Sequence, residues 1–266
     1  MVGVLLWRGM LVGVFAGIIC FGFLRLAGER PVDRAIAFEA RLEEARAHAD
    51  AHARVDAHTH PSAEALKPEP YPELVSREVQ AGLGLFTGIA VYSAAFGGLF
   101  ALAFALAYGR MGEFSPRATA ALLAGAGFVA VYVVPILKYP PNPPSVGDAD
   151  TIGMRTALYF SMIALSLAAM IGTGMVRVRL QPRFGAWNAC LIAGALYLVA
   201  MVVAGVALPV VNEVPEQFPA DVLWQFRIAS IGAQVLLWTT LGLGFGVAAE
   251  GVALSRSALP AGVSAH

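Results

Sequence analysis

The chain is predicted to be an all-α integral membrane protein, a bundle of about six transmembrane helices with one polar, partly helical extramembrane loop that carries histidines. Three observations predict this. Of 266 residues, 58% are hydrophobic and only 14% charged, well under the roughly 25% charged content of soluble domains. Six apolar segments, approximately 3–24, 82–108, 118–137, 156–176, 187–210 and 227–249, are long enough to cross about 30 Å of hydrocarbon at about 1.5 Å per residue. Between the first and second lies the one sizeable polar region, 25–81, with eight Lys/Arg, eleven Asp/Glu and four of the five histidines. The chain therefore divides into a first helix (1–24), a polar loop (25–81), a five-helix bundle (82–250) and a flexible tail (251–266).

The first segment outlasts the apolar core of a signal peptide, and no small-x-small cleavage site follows it before Arg25. It reads as a retained helix. Gly9, Gly13 and Gly17 form a small-residue ridge suited to close helix approach. Arg8, near its edge, either snorkels to headgroups or pairs inside the bundle.

In the polar loop a helix is predicted from Asp33, an N-cap after Pro31, to about Asp56, because Ala, Glu, Arg and Leu dominate. Glu44, His48, His52 and Asp56 recur every four residues and so share one stripe. His58 and His60 follow directly. Imidazole and carboxylate suit borderline divalent ions such as cobalt, nickel or zinc, which makes these six residues the candidate metal ligands. The bland alternative is a solvated charged helix on which histidine is incidental.

The second segment carries Gly82, Gly84, Gly88, Gly97 and Gly98, again suited to tight packing. The third ends in Tyr132, Pro135, Lys138 and Tyr139, an interfacial set. Pro140, Pro141, Pro143 and Pro144 then forbid helix and central strand, so LKYPPNPPSVGDAD (137–150) is expected to be a stiff, extended crossing. A basic turn, Arg177, Arg179 and Arg183, separates the fourth and fifth segments. NEVPEQFPAD (212–221) is a second crossing. In the sixth segment Arg227, Ser230, Gln234 and Trp238 fall three or four apart on one face, and a polar face inside a span usually turns inward.

With six spans, the histidine loop and both crossings emerge on one side. Asn142, Asp148, Asp150, Asn212 and Glu213, with Glu216 and Asp221, supply oxygens at a mouth there. Arg227 and Gln234 extend an ion pathway inward. Basic residues of the short loops place both termini in the cytoplasm, hence the histidine loop in the periplasm, although Arg25, Arg30 and Arg34 argue the other way. Cys20 and Cys190 lie in apolar segments near opposite faces and read as buried apolar residues without a disulfide.

The net charge is zero, so no basic surface points to nucleic acid. No G-x-x-x-x-G-K-[ST] appears, and neither do H-E-x-x-H or G-x-S-x-G. The chain thus lacks a nucleotide motor and the common hydrolase constellations, and no catalytic residues are expected.

The stretches LKYPPNPPSVGDADTIGMRT and NEVPEQFPADVLWQFRIASIGAQVLLWTTLGLGFG, with RGMLVGVFAG in the first segment, resemble the CbtA family of bacterial cobalt transporter subunits. The resemblance covers all the apolar segments, and the proline crossing is its most specific part. It implies a multi-pass subunit of the inner membrane for cobalt uptake, linked to cobalamin synthesis. It also implies a small single-span partner of the CbtB type with histidines near its terminus. Cobalt would be cargo, with no permanently bound cofactor. Two alternatives stand beside a conducting subunit: a non-conducting scaffold or metal-sensing partner, and a membrane-embedded lipid enzyme.

Overall fold

The computed structural model describes residues 2–56, 76–144 and 146–257, and all regular structure among them is helical. Seven helices among these residues build the bundle and its mouth. They are α1 (Val2–Ala27) and α2 (Glu29–Asp56), α3 (Gln80–Ala107) and α4 (Pro116–Lys138), α5 (152–184) and α6 (186–207), and α7 (Ala220–Val252).

Five continuous helical stretches are long and apolar enough to cross a membrane, and the longest, Ile152–Ala207, is a pair. Gly185 (φ 77°, ψ 163°) breaks it, a conformation glycine adopts without a Cβ penalty. Beyond it the chain folds back. Ser166 and Tyr197 share a 2.7 Å hydroxyl hydrogen bond, and Arg177 Nε donates to Cys190 Sγ at 3.1 Å. Tyr197 and Met201 of α6 pack on Met162 of α5. So α5 and α6 form an antiparallel hairpin, and the six expected segments are all present. The expected basic turn is instead helical through Arg177, Arg179 and Arg183. The break is confined to the glycine.

The core of the bundle is α1, α3, α4 and α7. Leu5, Phe100, Phe104, Ala120, Ala124, Trp238 and Phe245 form its centre, with edge-to-face aromatic contacts such as Phe96–Trp238 and Phe100–Phe245. Gly9 and Gly13 of α1 lie directly against Gly97 and Ser93 of α3, with backbone on backbone. This is the close crossing expected of the α1 glycines. Gly127 likewise makes room for the Trp238 ring. The hairpin joins this core mainly through the second half of α4, where Val134 and Tyr139 pack against the Met162 cluster. Within α3, α4 and α7, the stretches Gln80–Gly84, Phe128–Val133 and Leu241–Phe245 are wound as π-helix.

One end of the bundle holds the beginning of α1 and the end of α7. Arg8 donates to the Ala248 carbonyl at 2.6 Å, so it pairs inside the bundle. Arg117 and Glu250 form an ion pair at 2.5 Å. The other end holds α2 and both proline-bearing crossings. Here α2 begins at Glu29, four residues before the expected cap. Pro31 sits in the first turn, where its missing N–H is no loss, and is fully buried. Ala35 and Phe38 of α2 pack on Val146 of the first crossing, on Phe218 of the second and on Val222 in the first turn of α7. The three polar segments expected on one side therefore touch one another.

Candidate functional site

The mouth is built by two crossings that no helix can occupy. Pro140, Pro141, Pro143 and Pro144 keep the first crossing extended after Tyr139, whose hydroxyl donates to the Pro209 carbonyl at 2.8 Å. Gly147 (φ 116°) then turns the chain, in a backbone region where a side chain is strained. The Arg155 guanidinium occupies the space a Cβ would fill there. Arg155 donates to the Asp148 carbonyl at 2.9 Å, and its Nε lies 3.2 Å from Glu213 Oε2. The Asp148 amide donates to the same carboxylate at 2.9 Å. Glu213 thus ties the second crossing to the first and to α5.

The Glu213 carboxyl is held below its ordinary value of 4.5 by the Thr151 hydroxyl, the Asp148 amide and the Arg155 charge, against some desolvation. The sign follows from linkage. A group whose folded value is depressed contributes stability that is complete above its unfolded value and lost as pH falls through the folded one. The bridge is therefore intact throughout the range above pH 4.5 and opens only in more acidic solution. Glu213→Gln is expected to flatten the acid limb of the thermal stability–pH profile below that value while leaving its slope between pH 6 and 8 as in wild type. A profile that stays as steep in the variant would remove Glu213 from this role.

Between the crossings, α4, α5 and α7 lies a cavity of about 540 Å³. Its walls include Tyr132, Tyr139, Tyr159 and Phe160, and its polar groups come from Asn142, Arg155, Thr156, Asn212, Glu213 and Arg227. Arg227, half-buried near the start of α7, donates from Nε to the Pro141 carbonyl at 3.2 Å and from Nη2 to Asn142 Oδ1 at 3.1 Å. Both partners are neutral. A second cavity, about 400 Å³, adjoins the first at Tyr132 and Pro141 and runs among α1, α2, α3 and α7. Ser230 and Gln234 line it, and Gln234 also bonds the Tyr92 hydroxyl. The polar face of the last helix does point inward, toward these two cavities and, at Trp238, into the core.

The structure brings together four of the expected pathway residues, Asn142, Asn212, Glu213 and Arg227, and sets Gln234 one cavity further in. Asp148 and Asp150 are exposed outside the lining. Two of the carboxylates expected at the mouth are engaged by arginines: Glu213 by Arg155, and Asp221 by Arg34 at 2.7 Å. Arg155, Tyr132 and Tyr159 line the cavity and were not singled out as site residues. Only the position of Arg155 at the start of a helix after Asp148 hinted at its part.

Of the expected metal ligands, Glu44 and His48 are exposed on α2, and His52 and Asp56 continue the same helix. His58 and His60 lie outside the described residues. Among the described residues no three His, Cys, Asp or Glu side chains converge as a metal site. Cys20 is buried, with Sγ 3.4 Å from the Ala233 carbonyl, whereas Cys190 is exposed, contrary to the buried reading.

A family model described as "Probable cobalt transporter subunit (CbtA)" matches residues 2–250. No curated protein and no solved structure matches the chain.

Proposed function

Because the chain belongs to the CbtA family, a family of probable cobalt transporter subunits, and is a multi-pass membrane protein, we propose that it is the membrane subunit through which a divalent cation, cobalt, is taken up. The observation that carries the reading is the junction of α2, both crossings and the two adjoining cavities at one end of an apolar bundle. In this reading Glu44, His48, His52 and Asp56 on α2, with His58 and His60, capture the ion. It then passes Asn142, Asp148, Asp150, Asn212, Glu213 and Arg227 toward Gln234.

The outer surface supports a bilayer setting. Trp7 and Trp187, 62% and 75% exposed, lie toward one end, and Trp224, 67% exposed, toward the other. That is the placement of interfacial aromatic belts. The spans between present Leu, Val, Ile and Phe outward. Arg110, Arg117, Arg177, Arg179 and Arg183 gather at the end holding both helix termini, which the positive-inside rule assigns to the cytoplasm of a bacterial inner membrane. The mouth then faces the periplasm. The family description speaks of a subunit, and a small single-span CbtB-type chain is the partner proposed.

The deciding experiment is radioactive cobalt uptake into proteoliposomes containing the full chain, alone and with the single-span partner, with nickel as competitor. Saturable uptake is expected. The double variant His48→Ala/His52→Ala is expected to raise the half-saturating cobalt concentration about 3- to 10-fold while leaving maximal uptake nearly unchanged, as loss of capture ligands should. No uptake by folded protein with the partner present would favour a non-conducting scaffold. Unchanged half-saturation in the double variant would remove the α2 histidines from the route.

A further inference from the structure

The charged side chains lining the larger cavity are Arg155, Glu213 and Arg227, two cations against one carboxylate. Arg155 and Glu213 neutralise one another, which leaves Arg227 as a charge without a carboxylate partner among the described residues. Its two bonds go to neutral oxygens, the Pro141 carbonyl and Asn142 Oδ1. An arginine in a membrane-spanning helix is costly to keep, and it commonly pairs with an opposite charge or faces a polar cavity. Guanidinium groups also match carboxylate and phosphate oxygens in a bidentate fork. The cavity beside Arg227 is about 540 Å³, within the roughly 300–1,000 Å³ of small-molecule sites and far larger than the roughly 30 Å³ share of one water. Most of its wall is carbon, from Tyr139, Pro140, Tyr159 and Phe160.

We infer that this cavity binds an organic anion, whose carboxylate or phosphate oxygens pair with the free edge of Arg227 and whose carbon part lies against the tyrosine and phenylalanine walls. Asn142 is oriented by Arg227, because its Oδ1 is already taken. Its amide N–H groups are thereby left to donate to the same anion. Thr156 adds a hydroxyl from α5. Two sources have this chemistry: a water-soluble organic acid, and the headgroup of an anionic lipid entering from the side. The inference stands on Arg227 and the cavity, and holds whether or not the chain conducts metal.

The test uses the full chain in phosphatidylcholine nanodiscs, without metal, titrated calorimetrically with citrate, and then repeated with phosphatidylglycerol in the discs. Saturable citrate binding is expected in the neutral discs. If phosphatidylglycerol leaves it intact, the occupant is a soluble acid. If phosphatidylglycerol displaces it, and native mass spectrometry finds one retained lipid, the occupant is a headgroup. Arg227→Gln is expected to weaken binding about 10- to 100-fold, the worth of a charge-assisted hydrogen bond. Since Arg227 also holds the first crossing, Thr156→Trp serves as the second variant: it fills the cavity from α5, leaves the Arg227 bonds in place, and should abolish binding. Absence of both citrate and lipid binding in wild type overturns the inference. So does binding that stays within about twofold of wild type in a folded Thr156→Trp protein.

Discussion

Gly97→Leu is expected to prevent recovery of folded protein from detergent extracts, whereas Gly88→Leu, on the same helix, should be tolerated. A Cβ at Gly97 would run into the Gly9 carbonyl oxygen and stand 2.9 Å from Gly13 Cα, while one at Gly88 meets nothing within 4 Å. The obstruction at Gly97 is backbone, which cannot swing aside as a side-chain tip can. Overpacking of a close contact costs about 1–3 kcal/mol and sometimes more. Between membrane helices, where lipid is as apolar as the protein, association depends largely on such packing. The α1–α3 crossing is also the most extensive helix contact of the fold. Fluorescence-detected size exclusion after heating gives the comparison. Similar melting of the two variants would show that the glycine crossing does not hold the bundle together.

Gly147→Val should be nearly as damaging, and its damage should fall on the mouth. The residue sits at φ 116°, and holding a residue other than glycine in such a region costs about 1–3 kcal/mol. The new Cβ would also lie 2.7 Å from Arg155 Cζ, forcing the guanidinium off Glu213 and the Asp148 carbonyl. Combining Gly147→Val with Arg155→Ala separates the two causes: contacting residues give non-additive effects. The double variant is expected to melt higher than the sum of the single effects would allow. Strict additivity would mean that Arg155 is not what fills the place of the missing side chain.

Much of the architecture was legible because its causes are local. Apolar length marks a span whatever it packs against. The glycine spacing of α1 announces a close crossing, and Pro140 to Pro144 exclude a helix without reference to any other residue. That α2 and both crossings share one end followed from the parity of the spans. What was not legible depends on distant partners. Asp221 reads as a free carboxylate until Arg34, 187 positions away, is seen to hold it. Glu213 likewise becomes a tether only when the chain brings Asp148 and Arg155 to it. The arginines of 177–183 suggested a loop because they are charged, yet charge at a bilayer surface is compatible with helix, and only Gly185 supplies the backbone freedom to reverse direction. Two of the acids expected at the mouth are therefore paired with arginines.

The hairpin of α5 and α6 has a mechanical consequence. Four helices share one interlocked interior, while this pair leans on α4 near the mouth and elsewhere presents Leu198, Val202, Val203 and Val206 outward. The larger cavity has α4 and α7 on one side and α5 on the other, so it runs along the seam between two separately packed bodies. Local opening of a protein draws on far less free energy than its global unfolding. Across this seam the fastenings are Arg155, bonded to the Asp148 carbonyl and Glu213, and the Tyr139–Pro209 bond, far fewer than the contacts that close the glycine crossing of α1 and α3.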